Sequence, residues 1–363
     1  MTAIFICLLS LSFMLADTHA PFQIREEPKV YVATFKNDAE GAYTLIHDDF
    51  GGDWAQGIEE YADTMAFTKG IPFCFALITG QCNAKDWKKA NEMIAHGHQV
   101  VNHSMYHKCG KVNDWCTAGN WDEHDFAIEI DSSTNLIKKK TSHHPAFFMF
   151  PFDIYTDTMI TYLRAKGYAG ARAGNNNALQ KAEIEDPFHL NYKGYSPQNS
   201  PSELNSFVDQ AMGKKAWAIR EVHGVNDGSW GKISLSDYEV HMNYLQRLSR
   251  ADSIWVATLS DVVLHQMLRK KYGASISQLD EHGNVTKIDF NINISNFPKS
   301  DSLIFSTVFA TAKHHTLTLV LIQQKSKILK VMQQDKKIPF RKSGTKILIE
   351  ADPAEGMVSL VYK

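Results

Sequence analysis

Between Val30 and Lys271, short apolar runs alternate with segments whose apolar residues recur at helical spacing, and this alternation limits the fold more than any other feature. Val30–Phe35 (VYVATF), Tyr43–Ile46, Ile71–Leu77 (IPFCFAL), Gln99–Val101, Ala146–Phe150 (AFFMF), Tyr168–Ala171, Ala216–Val222 (AWAIREV) and Ile254–Leu259 (IWVATL) read as strands. Trp54–Lys69, Asp86–His96, Asp122–Lys139, Thr156–Lys166, Leu235–Arg250 and a last segment from Ser260 to about Lys271 read as helices. Gly70, Gly97 and Gly167 stand where C-caps are expected. The stretch between Ala171 and Ala216 reads as rich in loops. Such a rhythm predicts a parallel α/β architecture, barrel or open sheet, with chemistry at the carboxyl ends of the strands.

The pattern changes near Gln278. Lys287–Ile294, Leu303–Phe309, Thr316–Ile322, Lys327–Val331, Lys346–Glu350 and Met357–Val361 are alternating or apolar runs without a helical period. A barrel over residues 28–275 and a small all-β, sandwich-like domain over 280–363 are expected. The chain of 363 residues, with 44% apolar and 21% charged residues, is ample for such cores, and a net charge of -2 argues for no nucleic-acid partner.

Residues 1–20 (MTAIFICLLSLSFMLADTHA) read as an export signal. The apolar Ile4–Leu15 is too short to span a bilayer, and small residues surround Ala20. No Lys or Arg precedes the apolar run, which leaves an uncleaved anchor as the rival reading. A secreted or periplasmic protein is expected. Cys7 departs with the signal, leaving Cys74, Cys82, Cys109 and Cys116. An even count in an exported chain points to disulfides, with Cys74–Cys82 and Cys109–Cys116 preferred among the three pairings. A cysteine zinc site is the alternative, but no C-x-x-C is present.

Two segments at strand ends carry the chemistry. Tyr43–Gly52 (YTLIHDDFGG) delivers Asp48 and Asp49 to the end of a buried run, where two glycines open space. Adjacent carboxylates need a cation or a shared proton; an acidic loop capping the next helix is the other reading. Asn102–His107 (NHSMYH) follows the strand Gln99–Val101. On a helical turn, His103 and His107 would share one face. With one carboxylate they would make a three-ligand site with room for water, and Ser104 would orient a histidine. At a third strand end, His223 precedes Gly224, a placement that suits an acid or base as well as a half-buried histidine.

The HDD of His47–Asp49, the H-S-x-x-H of His103–His107 and the late strand-end His223 together resemble the metal-dependent polysaccharide deacetylases, carbohydrate esterase family four, over residues 28–272. The resemblance implies a distorted (β/α) barrel of the NodB-homology type and a Zn²⁺ or similar divalent ion. By position it implies Asp48 as general base, Asp49, His103 and His107 as metal ligands, and His223 as general acid. The family's third motif carries an Arg two residues before a Pro and an aromatic residue, and this Arg helps to position the base. Here the stretch is Met149-Phe150-Pro151-Phe152, so the Arg is missing. Arg172, at the end of the next strand, is a candidate to supply that cation from elsewhere; an ordinary loop Arg is the alternative. The backbone N–H of Phe152 is a candidate oxyanion donor. The family's acid-orienting Asp has no obvious counterpart.

Trp230, Trp121 and Tyr155 follow strands and suit either sugar stacking or packing; Asn226 and Asp227 would line the cleft beside Trp230 or belong to a plain polar loop. The expected function is removal of N- or O-linked acetyl groups from a carbohydrate polymer or oligomer. A carbohydrate-binding protein that keeps the metal but has lost turnover, or hydrolysis of a non-sugar amide, are the alternatives.

Overall fold

The computed structural model describes residues 29–110, 120–196, 199–279, 285–292, 299–322 and 328–362. Residues 1–20, where the export signal is expected, lie outside them. Among the described residues no helix is long and apolar enough to cross a membrane.

The first strand, β1 (Lys29–Val32), stands apart from the parallel sheet. That sheet consists of β2 (Gly41–Phe50), β3 (Cys74–Leu77), β4 (Gln99–Asn102), β5 (Phe147–Met149), β6 (Gly170–Arg172), β7 (Lys193–Gly194), β8 (Trp217–Val222) and β9 (Ile254–Val256). Its order is β6-β5-β4-β3-β2-β8-β7, with β9 paired to the start of β2, and it curls into the half-barrel of the distorted (β/α) type. Between the strands run α1 (Asp63–Lys69, continuing a π-helical turn Ile58–Ala62), α2 (Ala84–Ala95), α3 (Glu123–Phe126) and α4 (Ser133–Thr141), which a second π-helical segment Ala127–Ser132 joins. Then follow α5 (Asp157–Ala165), α6 (Pro201–Lys214), α7 (Leu235–Arg250) and α8 (Leu259–Arg269).

Every residue of β2 is buried, as its central position requires. Its alternate residues serve two cores. Tyr43 and Leu45 pack with Phe73, Trp87, Leu204 and Met242 beneath the helices. Ala42 and Ile46 face the other side with Trp217, Trp255 and Val262.

That second core continues into the last third of the chain through Leu317, Leu319 and Ile347. There lie β10 (Tyr272–Leu279), β11 (Val285–Ile292), α9 (Lys299–Thr311), β12 (Leu317–Ile322), β13 (Ile328–Gln333), β14 (Lys336–Lys337), β15 (Phe340–Ser343), β16 (Lys346–Ala351) and β17 (Val358–Tyr362), whose strands join two antiparallel sheets. Their orders are β1-β12-β16-β15 and β10-β11-β17-β13-β14. The N-terminal strand is therefore part of a C-terminal sheet, through the pairing of Tyr31 with Val320.

Three local expectations change. Leu303–Phe309 is helix, not strand: Ile304, Phe305, Val308 and Ala312 meet the core at helical spacing. The loop-rich stretch before Ala216 contains α6, whose Leu204, Phe207, Val208 and Ala211 are buried on one face. Cys74 and Cys82 are free thiols. Cys74 opens β3 and Cys82 lies past its end, and a four-residue strand spans roughly 10 Å, beyond the reach of a disulfide. Cys109 is disulfide-bonded, and Cys116, its expected partner, lies outside the described residues.

Candidate metal-dependent active site

β2 and β4 both end on the same rim of the sheet. In β2 the pairing with β3 shifts between His47 and Phe50, and Asp49 takes a left-handed φ of 65°. This interrupts strand alternation and turns Asp49 toward β4, where His103 directly follows the last strand residue. Asp49 Oδ1 lies 3.2 Å from His103 Nε2 and 3.2 Å from His107 Nε2, and the two imidazole nitrogens are also 3.2 Å apart. Donors at about 2.0–2.1 Å from a tetrahedral ion would be separated by roughly 3.3 Å.

The donor chemistry fits as well as the spacing. His103 Nδ1 donates to the Met149 carbonyl at 2.9 Å, so Nε2 turns a lone pair toward Asp49. Asp49 Oδ1 is buried without a hydrogen-bond donor. Lone pairs that converge in this way repel unless a cation or proton lies between them. Burial disfavours the charged form of His103, yet Asp48 and Asp49 outweigh it and raise its pKa, so a proton can stand in for the cation. Burial likewise raises Asp49, but the two histidines hold its carboxyl well below the usual range.

The histidines do not share a helical turn. Residues 103–107 form a loop with two left-handed residues, Ser104 (φ 72°) and His107 (φ 56°). Ser104 Oγ accepts from the His107 backbone N–H at 2.9 Å rather than from a ring. Beneath the loop, the buried Glu129 accepts from the N–H groups of Met105 (3.1 Å) and Tyr106 (2.9 Å). Glu129 sits in the π-helical segment, an irregularity frequent near functional sites.

Asp48 is gripped by Arg172. Nη1 donates to Oδ1 at 3.1 Å and Nη2 to Oδ2 at 2.5 Å, while Nη2 also reaches Asp153 Oδ1 at 2.8 Å. Met149 and Arg172 are direct partners in the β5–β6 register. The guanidinium missing from position 149 is thus supplied by the residue beside it on the next strand. Burial pushes the Asp48 carboxyl up, but Arg172 and His103 overcome this and lower its pKa. A bidentate charged pair of this kind is among the strongest hydrogen-bonded arrangements.

His223 follows β8 and completes the ring of groups, with Nε2 3.6 Å from Asp49 Oδ2. Its Nδ1 lies 3.2 Å from Glu221 Oε1 without the alignment of a hydrogen bond. Burial lowers the His223 pKa. Burial also pushes the Glu221 carboxyl well up, with Asp153, Asp48 and Asp49 acting the same way against Arg172. Glu221 escaped the sequence reading because it lies inside an apolar strand; its position two before His223, on the same side of the strand, was the available signal.

Four exposed rings edge the cleft or its loops: Trp54 (45%), Tyr106 (60%), Phe152 (47%) and Trp230 (65%). Phe152 lies 4.5 Å and Trp54 5.6 Å from the His107 ring, and Trp230 lies 5.2 Å from that of His223. Trp54 and Tyr106 were not anticipated, though each neighbours a predicted site segment. Trp121 is buried against Phe126 and donates to the Cys109 carbonyl, and Tyr155 packs on Phe150. These two serve packing. Asp227 staples the Trp230 loop, accepting from Gly57 N–H at 2.7 Å and from Ser229 Oγ at 2.6 Å. A side chain at Gly57 would collide with the Val225 backbone, so only glycine permits that closure.

A carboxylate and two imidazoles converge at strand ends of a curled parallel sheet, with a held acid on one side and a histidine on the other, and such a donor set could hold a divalent metal ion. Residues 37–171 match the family model described as polysaccharide deacetylase. The match includes Asp48, Asp49, His103 and His107 but ends one residue before Arg172. The fold is also similar to solved structures. One is the esterase-family-four domain of a multidomain xylanase from the hindgut metagenome of Trinervitermes trinervoides (13% identity, 61% of this chain, 89% of that one, TM-score 0.42). Another is a family 4 acetyl xylan esterase from Clostridium thermocellum in complex with a cobalt ion (15%, 61%, 89%, 0.42). A third is a family pseudoenzyme from Bacillus anthracis (10%, 61%, 65%, 0.40). No curated protein matches the sequence.

Proposed function

We propose that the protein is an exported, metal-dependent deacetylase that hydrolyses N- or O-linked acetyl groups on a carbohydrate polymer or oligomer. The observation that carries this reading is the convergence of three donors, 3.2 Å apart, between the Arg172-held Asp48 and His223. Asp49, His103 and His107 would hold the ion; Zn²⁺ suits one oxygen and two nitrogen donors. When bound, such an ion supplies a water of lowered pKa and polarises a carbonyl.

The chain's own groups divide the remaining work. Asp48 stays ionised beside Arg172 and takes the proton of the attacking water. His223, on the other side of Asp49, gives a proton to the departing amine or alkoxide. Phe152, Trp54 and Trp230 form a partly apolar edge on which sugar faces would stack. That edge favours a glycan over a non-sugar amide. The reading as a binding protein without turnover drew on the missing arginine, and Arg172 removes that motive.

Acetate release from a panel of acetylated glycans, with and without chelator, tests the proposal. Release should stop with chelator and return with Zn²⁺. Asp48→Asn should keep the metal and release no acetate. A wild-type protein that binds zinc and glycan but frees no acetate from any panel member would falsify the enzyme reading.

A further inference from the structure

We infer that His47 is a positioning residue for the acid histidine: its imidazole holds the backbone carbonyl of His223 and so fixes where the His223 ring stands relative to Asp49. The inference rests on reading His223 as the general acid.

The ladder between β2 and β8 ends at the pair His47–Val222, so His223 is the first residue beyond it. His47 Nδ1 lies 2.7 Å from the His223 carbonyl oxygen. A carbonyl only accepts, so Nδ1 carries the hydrogen and Nε2 a lone pair. Nε2 lies 3.0 Å from the Tyr238 hydroxyl, which therefore donates. One tautomer satisfies both contacts, and His47 and Tyr238 are wholly buried.

Tyr238 belongs to α7, and a second pair lies one helical turn further on. There the Tyr43 hydroxyl meets His241 Nε2 at 2.8 Å, and His241 Nδ1 donates to Asn205 Oδ1 at 2.8 Å. Strand β2 thus contributes Tyr43 and His47, and α7 answers with His241 and Tyr238. These exchanged pairs set α7 on β2, and the upper pair ends on the His223 backbone. An apolar side chain packed against Phe73 would serve the core equally well, without the cost of burying an imidazole. What it would not do is tie the His223 carbonyl.

Three variants separate the two hydrogen bonds. His47→Asn keeps a donor where Nδ1 stands. His47→Gln keeps a polar group toward Tyr238 and loses that donor. His47→Leu loses both. Each is assayed on the acetylated glycan that wild type turns over best and on 4-nitrophenyl acetate, whose phenolate leaves without a proton. His47→Leu and His47→Gln should lose about a hundredfold in kcat on the glycan, the scale of an ångström misplacement, with zinc content and KM little changed. Both should stay within about threefold of wild type on the aryl ester, because no acid is needed there. His47→Asn should recover to within about tenfold on the glycan. Equal losses on both substrates, or no loss in any variant, would overturn the inference. A crystal structure of His47→Gln gives a reading independent of turnover: His223 Nε2 should move away from its 3.6 Å approach to Asp49. An unmoved His223 overturns the inference even if wild type frees no acetate, an outcome that would count separately against the enzyme reading.

Discussion

Two clusters of one aspartate and two histidines lie at opposite ends of β4. Beyond its carboxyl end, Asp49 meets His103 and His107. Before its amino end, Asp63 meets His96 at 2.8 Å and His98 at 3.2 Å. The composition is the same, but the chemistry differs. In the second cluster Lys89 Nζ stands 2.8 Å from Asp63 and already supplies the positive charge. His98 Nδ1 accepts from the Phe73 N–H at 3.1 Å, so its Nε2 carries a hydrogen toward Asp63 instead of a lone pair. In the first cluster His103 Nδ1 donates to a carbonyl and Nε2 is left to coordinate. A backbone N–H in one place and a backbone C=O in the other select opposite tautomers, and the tautomer separates a closed ion pair from a set of donors free to take a metal.

The sharpest way to break this comparison is to remove each aspartate. Asp49→Ala should abolish zinc binding and bring acetate release to background, whereas Asp63→Asn should leave one zinc per chain by equilibrium dialysis. A second zinc lost with Asp63 would show that the clusters are alike after all. The next effect is at Asp48. Arg172→Met should lower kcat by about 10²–10⁴-fold, the worth of a general base, with metal content retained. Because Met149 and Arg172 are register partners, adding Met149→Arg should recover part of the loss.

Asp63→Asn also tests the closed cluster as structure. It leaves Lys89 and two histidines around a neutral group, and urea unfolding should show a loss of about 2–3 kcal/mol with activity per folded molecule intact. A last effect, spread over several pH units and so gentle at any one pH, concerns the buried neutral histidines of the α7 contact. Burial lowers the His241 pKa to about 3. The unfolded chain, with its ordinary value of 6.5, therefore binds the proton first. Stability is full above pH 6.5 and falls as the pH drops from there toward about 3. His241→Gln should flatten that decline by up to roughly 1.4 kcal/mol per pH unit.

Much of the site was legible because its parts are local. Asp48 and Asp49 are neighbours, His103 and His107 are four apart, and each pair follows a strand that its apolar run reveals. The supports were not legible because they are contacts across the fold. Arg172 acts on a residue 124 positions away, and Glu129 holds its loop from 23 and 24 positions off. The helical face suggested for His103 and His107 gave way to a loop because Ser104 and His107 adopt left-handed backbone held by Glu129 and Asn102. The helix α9 was missed for another reason. Its core-facing residues are few and mixed with exposed Leu303 and Phe309, so its run resembles a strand until the packing is seen.

By itself, the amino-acid sequence determined the alternating architecture and the set of donors, because periodicity and spacing are properties of a short stretch of chain. Only the tertiary structure decided which groups hold those donors. Arg172 replaces the guanidinium absent at Met149 because β6 lies beside β5, and the histidine tautomers follow from which backbone group each ring meets. Strand adjacency and backbone direction are relations between segments far apart along the chain, and only packing establishes them.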